Sequence, residues 1–281
     1  RVSLVLPPSR VMRVGNIPTK VLVLPFYGEF GWFICSAIRY VHNLVADEKI
    51  VCCRPDEEIF FPTATGFVHN YVVKQHLTKG LGGWLCGQNR TKNLDLIYKE
   101  NPHLRDHEVI QSCSKLDCFN DFKQVYSFFD TKHEPIDTEI DIAISARNIA
   151  QASGKNWQEW PNVVHHLHTL GLKVGAVGSP HASFDMRCVD ERAWDHVDYN
   201  NASIAILKKA KLVITTNTGI AHLSIFLRRP TLVLDATGGE MMCWIDAQRD
   251  LDVFYGQLQL PSTRKHILAV IKNYLLKLHI I

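Results

Sequence analysis

The chain has 281 residues, of which 46% are hydrophobic and 21% are charged, and this balance is typical of a folded globular protein. Basic residues exceed acidic ones by three, but residues 1–20 hold Arg1, Arg10, Arg13 and Lys20 and no acid. The remaining 261 residues therefore carry 27 basic and 28 acidic side chains. A nearly neutral body lacks the basic face that general nucleic-acid binding needs, so we expect a small anion at one site and no nucleic-acid partner.

Compartment and targeting are indicated by what the sequence lacks. The apolar runs have strand length, far below the roughly 20 residues of a membrane-spanning helix, and we recognise no signal peptide. The eight cysteines include no C-x-x-C pair, which favours reduced thiols in a cytoplasmic protein over a disulfide framework. For the basic arm, residues 1–20, two interpretations stay open: a disordered leader, or a peripheral contact with an anionic membrane surface. Because the chain begins with Arg1, missing N-terminal sequence is also open.

The first half of the chain predicts a β-α-β unit. Residues 20–25 form a short apolar run that predicts a strand buried on both faces, residues 30–45 repeat apolar side chains at helical steps, and residues 49–53 predict a second strand. Further along, we expect a helix over residues 67–77 and a glycine-rich turn over residues 80–87.

The second half repeats this alternation. We expect strands at residues 140–144, 172–177, 211–215 and 231–234, and helices at 157–170, 203–210 and 218–227. Gly171 marks a helix stop, and Ser203 is the expected N-cap of its helix. A final amphipathic helix over residues 265–281 is expected to pack back on the protein rather than on a membrane.

Together these elements predict an α/β protein of two Rossmann-like, doubly wound domains that face each other across a cleft. The polar stretch over residues 130–139 is the expected linker, so we place the domains at residues 1–136 and 137–281.

The turn from Thr215 to Gly219 is the most informative segment. It places small residues at the start of the helix over residues 218–227, where backbone N–H groups and the helix dipole favour an anion such as phosphate. Thr216 and Thr218 add hydroxyl groups, and His222 follows one turn later. The alternative is that Asn217 and Thr218 only cap the helix.

This segment, with Thr218-Gly219-Ile220-Ala221-His222-Leu223 after an apolar strand and Arg229-Pro230-Thr231 before the next one, resembles the signature of glycosyltransferase family 9, which includes the heptosyltransferases. The resemblance covers roughly residues 140–240, and its upstream parts are Ser145-Ala146-Arg147, Lys155-x-Trp157, Gly171-Leu172-Lys173-Val174 and Gly178-Ser179-Pro180. Asn217 stands where the family usually has Asp.

The resemblance implies a GT-B fold and a transferase that uses a nucleotide-sugar donor without a metal or another cofactor. The C-terminal domain would bind the donor, with Thr216, Asn217, Thr218, Gly219 and His222 at its pyrophosphate. Two cations, Arg147 and Lys155, would neutralise that pyrophosphate, because negative charge develops on it as the sugar leaves.

The acceptor is expected in the N-terminal domain. Gly28-Glu29 follows the first strand and resembles the Gly-Asp pair of the family, whose acid acts as general base. Glu29 would remove the proton of the acceptor hydroxyl, or it would only stabilise the start of the helix. Trp84, Asn89 and Arg90 are weaker acceptor-side candidates because such side chains stack on sugars or hydrogen-bond them.

Two motifs that could bind a metal are discounted. Of the histidines near His166, only His165 and His168 share a helix face, and no H-E-x-x-H motif accompanies them. Asp250 and Asp252 match a short D-x-D pattern that is common by chance.

The expected function is therefore an inverting glycosyltransferase of hexosyl or heptosyl type that acts on a glycan or lipid-linked acceptor. A non-catalytic nucleotide- or glycan-binding protein of the same fold and a nucleotide-sugar epimerase remain the alternatives. The identities of the transferred sugar, of the donor's nucleobase and of the acceptor depend on local contacts and loops that no motif identifies.

Overall fold

The computed structural model describes residues 20–27, 30–72, 82–111, 136–148, 156–235, 255–259 and 263–281. Contacts divide the chain into two compact units, Arg1–Gln124 and Val125–Ile281. The boundary that we place at residue 136 stays a prediction, because the neighbouring residues 112–135 lie outside the described part.

The N-terminal unit contains a four-stranded parallel sheet in the order β3-β2-β1-β4. Its strands are β1 (Lys20–Leu24), β2 (Glu48–Cys52), β3 (Gly66–Val68) and β4 (Glu108–Gln111). The predicted apolar run forms β1, which lies between β2 and β4 and buries every residue after Lys20.

The described helical segments of this unit are α1 (Phe30–Trp32), a π-helical segment (Phe33–Ile38), α2 (Arg39–Asn43), α3 (Gly82–Glu100) and two 3-10 turns (Pro55–Phe60 and Pro102–Asp106). In this unit, Leu22 and Leu24 of β1 share a buried cluster with Ile97 of α3 and Leu104.

Two expectations for this unit are wrong. Phe67 and Val68 lie in strand β3 rather than in a helix, because Gly66–Val68 pairs residue by residue with Ile50 to Cys52 of β2. Residues 82–87 begin helix α3 instead of a turn. Burial of Asn93 and Ile97 on α3 shows that tertiary packing outweighs the low helix propensity of the glycines at its start.

The C-terminal unit contains a six-stranded parallel sheet in the order β10-β9-β8-β5-β6-β7. Its strands are β5 (Ile142–Ser145), β6 (Val174–Ala176), β7 (Glu191–Arg192), β8 (Leu212–Thr216), β9 (Thr231–Asp235) and β10 (Tyr255–Gln259). Counted within this unit, the order is 3-2-1-4-5-6, which is that of the dinucleotide-binding Rossmann fold. The prediction of a doubly wound α/β unit is confirmed here.

Four described α-helices accompany this sheet, namely α4 (Trp160–Thr169), α5 (Tyr199–Lys209), α6 (Gly219–Phe226) and α7 (Arg264–Lys277). The expected C-terminal packing helix is α7, which buries Ile267, Ile271 and Leu275 in the same cluster as Ile142 of β5 and Trp160 of α4. Gly171 after α4 has a φ of +77°, the left-handed conformation in which glycine ends a helix at no steric cost.

Helix α5 begins earlier than expected. Asp198 is its N-cap, and the Asp198 carboxylate accepts the N–H of Asn201 at 2.9 Å. Ser203, the expected cap, lies one turn inside the helix and is buried. In the part of the chain that the structure describes, no helix has both the length and the apolar character needed to cross a bilayer.

Candidate active site

The carboxyl ends of β5 and β8 meet at the point where the strand order of the C-terminal sheet reverses. The two strands are hydrogen-bonded neighbours, with Ser145 opposite Thr215. The chain leaves β5 in one direction along the sheet, towards β6, and leaves β8 in the other, towards β9. In open α/β sheets a ligand crevice forms at such a point, because the connections on its two sides diverge.

Three threonine hydroxyls lie at the end of β8 and in the turn that follows it. Thr215 and Thr216 are both buried, and the Thr215 hydroxyl donates to the carbonyl of Thr216 at 3.0 Å. Thr215 Oγ1 also lies 3.3 Å from Thr218 Oγ1. Thr216 is 1% exposed, and its Oγ1 has no hydrogen-bond partner among the described residues. A buried hydroxyl without a partner costs free energy, so this position favours a guest atom that accepts a hydrogen bond.

Helix α6 presents its amino end at the same place. Thr218 is the N-cap with an extended backbone (φ −139°, ψ 173°), and its side chain makes no capping hydrogen bond. Thr218 therefore occupies the cap position of the helix, as the alternative interpretation expects, but its hydroxyl does not cap the helix. Behind the first turn, Leu223 and Phe226 are buried, which anchors the helix. The first turn, with Gly219, therefore has the orientation that suits an anion.

Arg147 lies two residues beyond the end of β5, the strand that pairs with β8. An antiparallel bridge pairs Arg147 with Ser183, in the segment that follows β6. Two backbone hydrogen bonds flank this bridge, from Asn148 N to Ala182 O at 2.8 Å and from Phe184 N to Ala146 O at 2.7 Å. We call residues 178–184 the strap. Sequence reasoning singled out Arg147 and noted Gly178-Ser179-Pro180, but it did not predict that this segment pairs with Arg147, since a single antiparallel bridge leaves no pattern in the sequence.

The structure thus collects six of the candidate residues in one unit, around β5 and β8: Arg147, Thr216, Asn217, Thr218, Gly219 and His222. Asn217 follows β8 directly, and His222 lies in the first half of α6.

The remaining candidates fall into two groups. Gly28, Glu29, Lys155, Asp250 and Asp252 are outside the described residues. Trp84, Asn89 and Arg90 belong to α3 of the N-terminal unit. Asn89 is buried and Arg90 is exposed, whereas the side chain of Trp84 is not described.

One histidine of α4 contacts a carboxylate. His168 Nε2 lies 3.0 Å from Asp190 Oδ2, which is also 2.8 Å from the N–H of Val174. Within the described ranges, no group of three His, Cys, Asp or Glu side chains has the arrangement of a metal site.

In the N-terminal unit, a buried carboxylate, that of Glu57, lies shortly after the carboxyl end of β2. Arg54 donates its N–H to Glu57 Oε2 at 3.0 Å, and its Nη2 lies 3.0 Å from Glu57 Oε1. A cavity of about 10 Å³ borders Glu57, Cys52 and Tyr71, which is room for a single water molecule and not for a sugar. Burial raises the pKa of the Cys52 thiol to about 12, so this cysteine is an inert structural thiol.

Comparison with known proteins identifies the fold. No family model matches the sequence, and no curated protein matches it. Among solved structures, the chain resembles ADP-heptose LPS heptosyltransferase II of E. coli at 12% identity, with 92% of this chain and 99% of that chain covered and a TM-score of 0.55. It resembles a glycosyl transferase family 9 protein from Veillonella parvula DSM 2008 at 13% identity, 92% and 90% coverage and a TM-score of 0.57. E. coli heptosyltransferase WaaC, solved with ADP, gives 12% identity, 93% and 99% coverage and a TM-score of 0.53.

These likenesses extend over nearly the whole length of each protein, and at such low identity they establish the fold. The resemblance seen in residues 140–240 is therefore matched by the architecture of the complete chain. This protein has the GT-B fold of the heptosyltransferases and of glycosyltransferase family 9.

Proposed function

We propose that this protein is a metal-independent, inverting glycosyltransferase. It moves a hexosyl or heptosyl group from a nucleotide-sugar donor to a hydroxyl group of a glycan or lipid-linked acceptor. The observation that carries the proposal is made at the switch point of the C-terminal sheet, where β8 ends at Thr216, whose buried hydroxyl has no partner among the described residues, and α6 begins three residues later. The GT-B fold supports it, because glycosyltransferases share that architecture.

In this proposal the donor diphosphate lies against the first turn of α6. Thr216, Thr218 and the Gly219 amide donate hydrogen bonds to its oxygens, while Asn217 and His222 contact it from the strand end and the helix. Arg147 and Lys155 supply positive charge. As the bond between the anomeric carbon and the diphosphate breaks, negative charge builds on the leaving group, and these fixed donors stabilise it without rearranging.

Asn217 suits an anion site because its amide is neutral. A carboxylate at this place would lie beside the diphosphate and repel it, whereas the amide can donate a hydrogen bond. The difference from the usual Asp of the family is therefore compatible with donor binding.

Glu29 is the proposed general base. Its carboxylate would take the proton from the acceptor hydroxyl while that oxygen attacks the anomeric carbon from the face opposite the diphosphate. Attack from that face inverts the anomeric centre. Gly28, Trp84, Asn89 and Arg90 are proposed acceptor-side residues, and their location in the N-terminal half of the chain supports this division of roles.

We further propose that the protein acts in the cytoplasm, with peripheral contact to a membrane when the acceptor is a glycolipid. The described cysteines support this placement, because Cys52, Cys53 and Cys188 are all free thiols.

A thermal-shift panel of ADP, GDP, UDP and dTDP in the presence of EDTA tests donor binding. ADP comes first because heptosyltransferase WaaC was solved with it. At a hundred times Kd, a bound diphosphate should raise Tm by about 5 °C, and Arg147→Gln should lose about half of that rise or more. If no diphosphate shifts Tm of the wild-type protein, or if the shift appears only with a divalent metal, the proposal is wrong.

A further inference from the structure

Ser203 uses its hydroxyl group for a contact outside its own helix. The side chain is 3% exposed, and Oγ accepts the backbone N–H of Gly178 at 3.3 Å. Gly178 follows β6 and begins the strap, so this bond joins the interior of α5 to the first residue of the strap.

The strap begins with a backbone conformation that only glycine adopts easily. Gly178 has a φ of +130°, where residues other than glycine are strained, and a Cβ built on it would lie 2.6 Å from Ser183 Oγ. From this point the strap folds back on itself, with Ala182 N donating to Ser179 O at 3.2 Å. The returning part then pairs with the segment from Ala146 to Asn148, beyond the end of β5.

That segment holds the proposed diphosphate cation. Arg147 lies beyond Ser145, the last residue of β5 that pairs with a neighbouring strand, so the sheet itself does not position it. The backbone bonds at Asn148 and Phe184, on either side of Arg147 and its bridge partner, come from the strap.

We propose that Ser203 is a positioning residue of the anion site, which holds Gly178 and, through the strap, fixes the backbone of Arg147 at the switch point. This inference rests on the proposed function in so far as Arg147 binds the donor diphosphate. A cation held in place before binding loses less conformational entropy when the anion arrives, so loosening the strap should weaken diphosphate binding.

Hydrogen exchange of the ligand-free protein tests whether Ser203 holds the strap, and with it the backbone around Arg147, in place. Ser203→Ala should speed exchange at the amides of Asn148 and Phe184 by about three- to tenfold, the loss expected for one hydrogen bond. Thr263→Ala is the matched control, because Thr263 Oγ1 likewise accepts one backbone N–H, that of His266, at 3.3 Å. The control should leave exchange at Asn148 and Phe184 unchanged. Equal exchange at these amides in Ser203→Ala and wild type would overturn the inference.

A double-mutant cycle tests the link to the anion site. By calorimetry, Ser203→Ala should weaken binding of the preferred nucleoside diphosphate by about threefold or more, and Thr263→Ala should not. In an Arg147→Gln background the further effect of Ser203→Ala should vanish, because the positioned charge is gone. Equal effects of Ser203→Ala with and without the Arg147 side chain would overturn the inference.

The two experiments separate this inference from the proposed function. Absence of diphosphate binding in the wild-type protein contradicts the proposed function and, with it, the assignment of Ser203 to an anion site. Normal wild-type binding that Ser203→Ala leaves unaltered contradicts only the inference.

Discussion

At the end of β8, two adjacent buried threonines differ in what their hydroxyl groups do. Thr215 Oγ1 donates to the carbonyl of Thr216, whereas Thr216 Oγ1 has no partner among the described residues. A satisfied hydroxyl stabilises the fold, but an unsatisfied one destabilises it until a ligand supplies an acceptor. The two side chains are matched in residue type and burial, so their substitution separates binding from stability.

We predict that Thr216→Val raises the free energy of unfolding by about 1 kcal/mol, since an isosteric apolar group removes the desolvation cost of an unpaired hydroxyl. The same change should weaken diphosphate binding about tenfold. Thr215→Val should instead lower the free energy of unfolding by about 1 kcal/mol. Urea denaturation and calorimetry measure both quantities, and a destabilised Thr216→Val variant with unaltered binding would contradict this assignment.

Among helices, α5 shows how far local sequence signals reach. A serine near an apolar run is a good N-cap candidate, and Ser203 fits that pattern. The structure places the start of the helix at Asp198, and the Asp198 carboxylate accepts the N–H of Asn201. Several residues in this stretch can cap a helix, and only the packing of α5 against the sheet decides at which one the helix begins.

The cap itself is testable. Asp198→Ala should lower the free energy of unfolding by about 1 kcal/mol, because one of the free N–H groups of the first turn loses its acceptor. Chemical denaturation measures the change, with Asp198→Asn as the control that retains a capping oxygen. A loss below about 0.3 kcal/mol would show that the cap does not hold this helix.

The amino-terminal edge of the C-terminal sheet carries two aspartates that accept strand N–H groups. Asp141 accepts the N–H of Lys173 at 2.9 Å and lies 2.7 Å from Lys211 Nζ, and Asp190 accepts the N–H of Val174. Burial raises the pKa of each carboxyl, but the backbone N–H and the neighbouring basic side chains more than offset this effect. Both pKa values are therefore lowered.

A carboxyl with a lowered pKa contributes stability above its ordinary pKa, and this contribution is lost as the pH falls below about 4. We therefore expect the double variant Asp141→Asn and Asp190→Asn to be less stable than wild type at pH 7 by roughly 1 kcal/mol per site, since both groups are partly exposed. Its stability should also change less between pH 5 and pH 3, a range of about two units around the ordinary pKa. Urea denaturation across that range provides the measurement, and parallel pH profiles would contradict the prediction.

For the molecule as a whole, the proposal assigns different steps to the two halves of the chain. Glu29, in the first half, would act on the acceptor proton, whereas Arg147, in the second half, would act on the donor diphosphate. Because the two residues would act on different substrates, substitution of Glu29 should change turnover, whereas substitution of Arg147 should change diphosphate affinity.

Glu29→Gln should reduce kcat by roughly a hundred- to ten-thousandfold, because the amide cannot take the proton, while diphosphate affinity stays unchanged. Arg147→Gln should weaken diphosphate affinity about tenfold or more, since it removes a charge-assisted contact. Sugar-transfer assays and calorimetry measure the two quantities. Full turnover in Glu29→Gln would remove Glu29 from the mechanism.

The sequence by itself determined the α/β class, the short apolar strands and the strand-turn-helix at Thr216 to His222, because these depend on local periodicity and on short motifs. It predicted neither β3 nor the helical start of α3. A three-residue strand is stabilised by its pairing with β2, and a glycine-rich helix by its buried face, and both are contacts between distant residues. Only the tertiary structure decided that β5, which precedes Arg147, pairs with β8, that the buried Thr216 hydroxyl has no partner among the described residues, and that Ser203 contacts the strap. These features depend on which strands become neighbours, and non-local burial and hydrogen bonding set that choice.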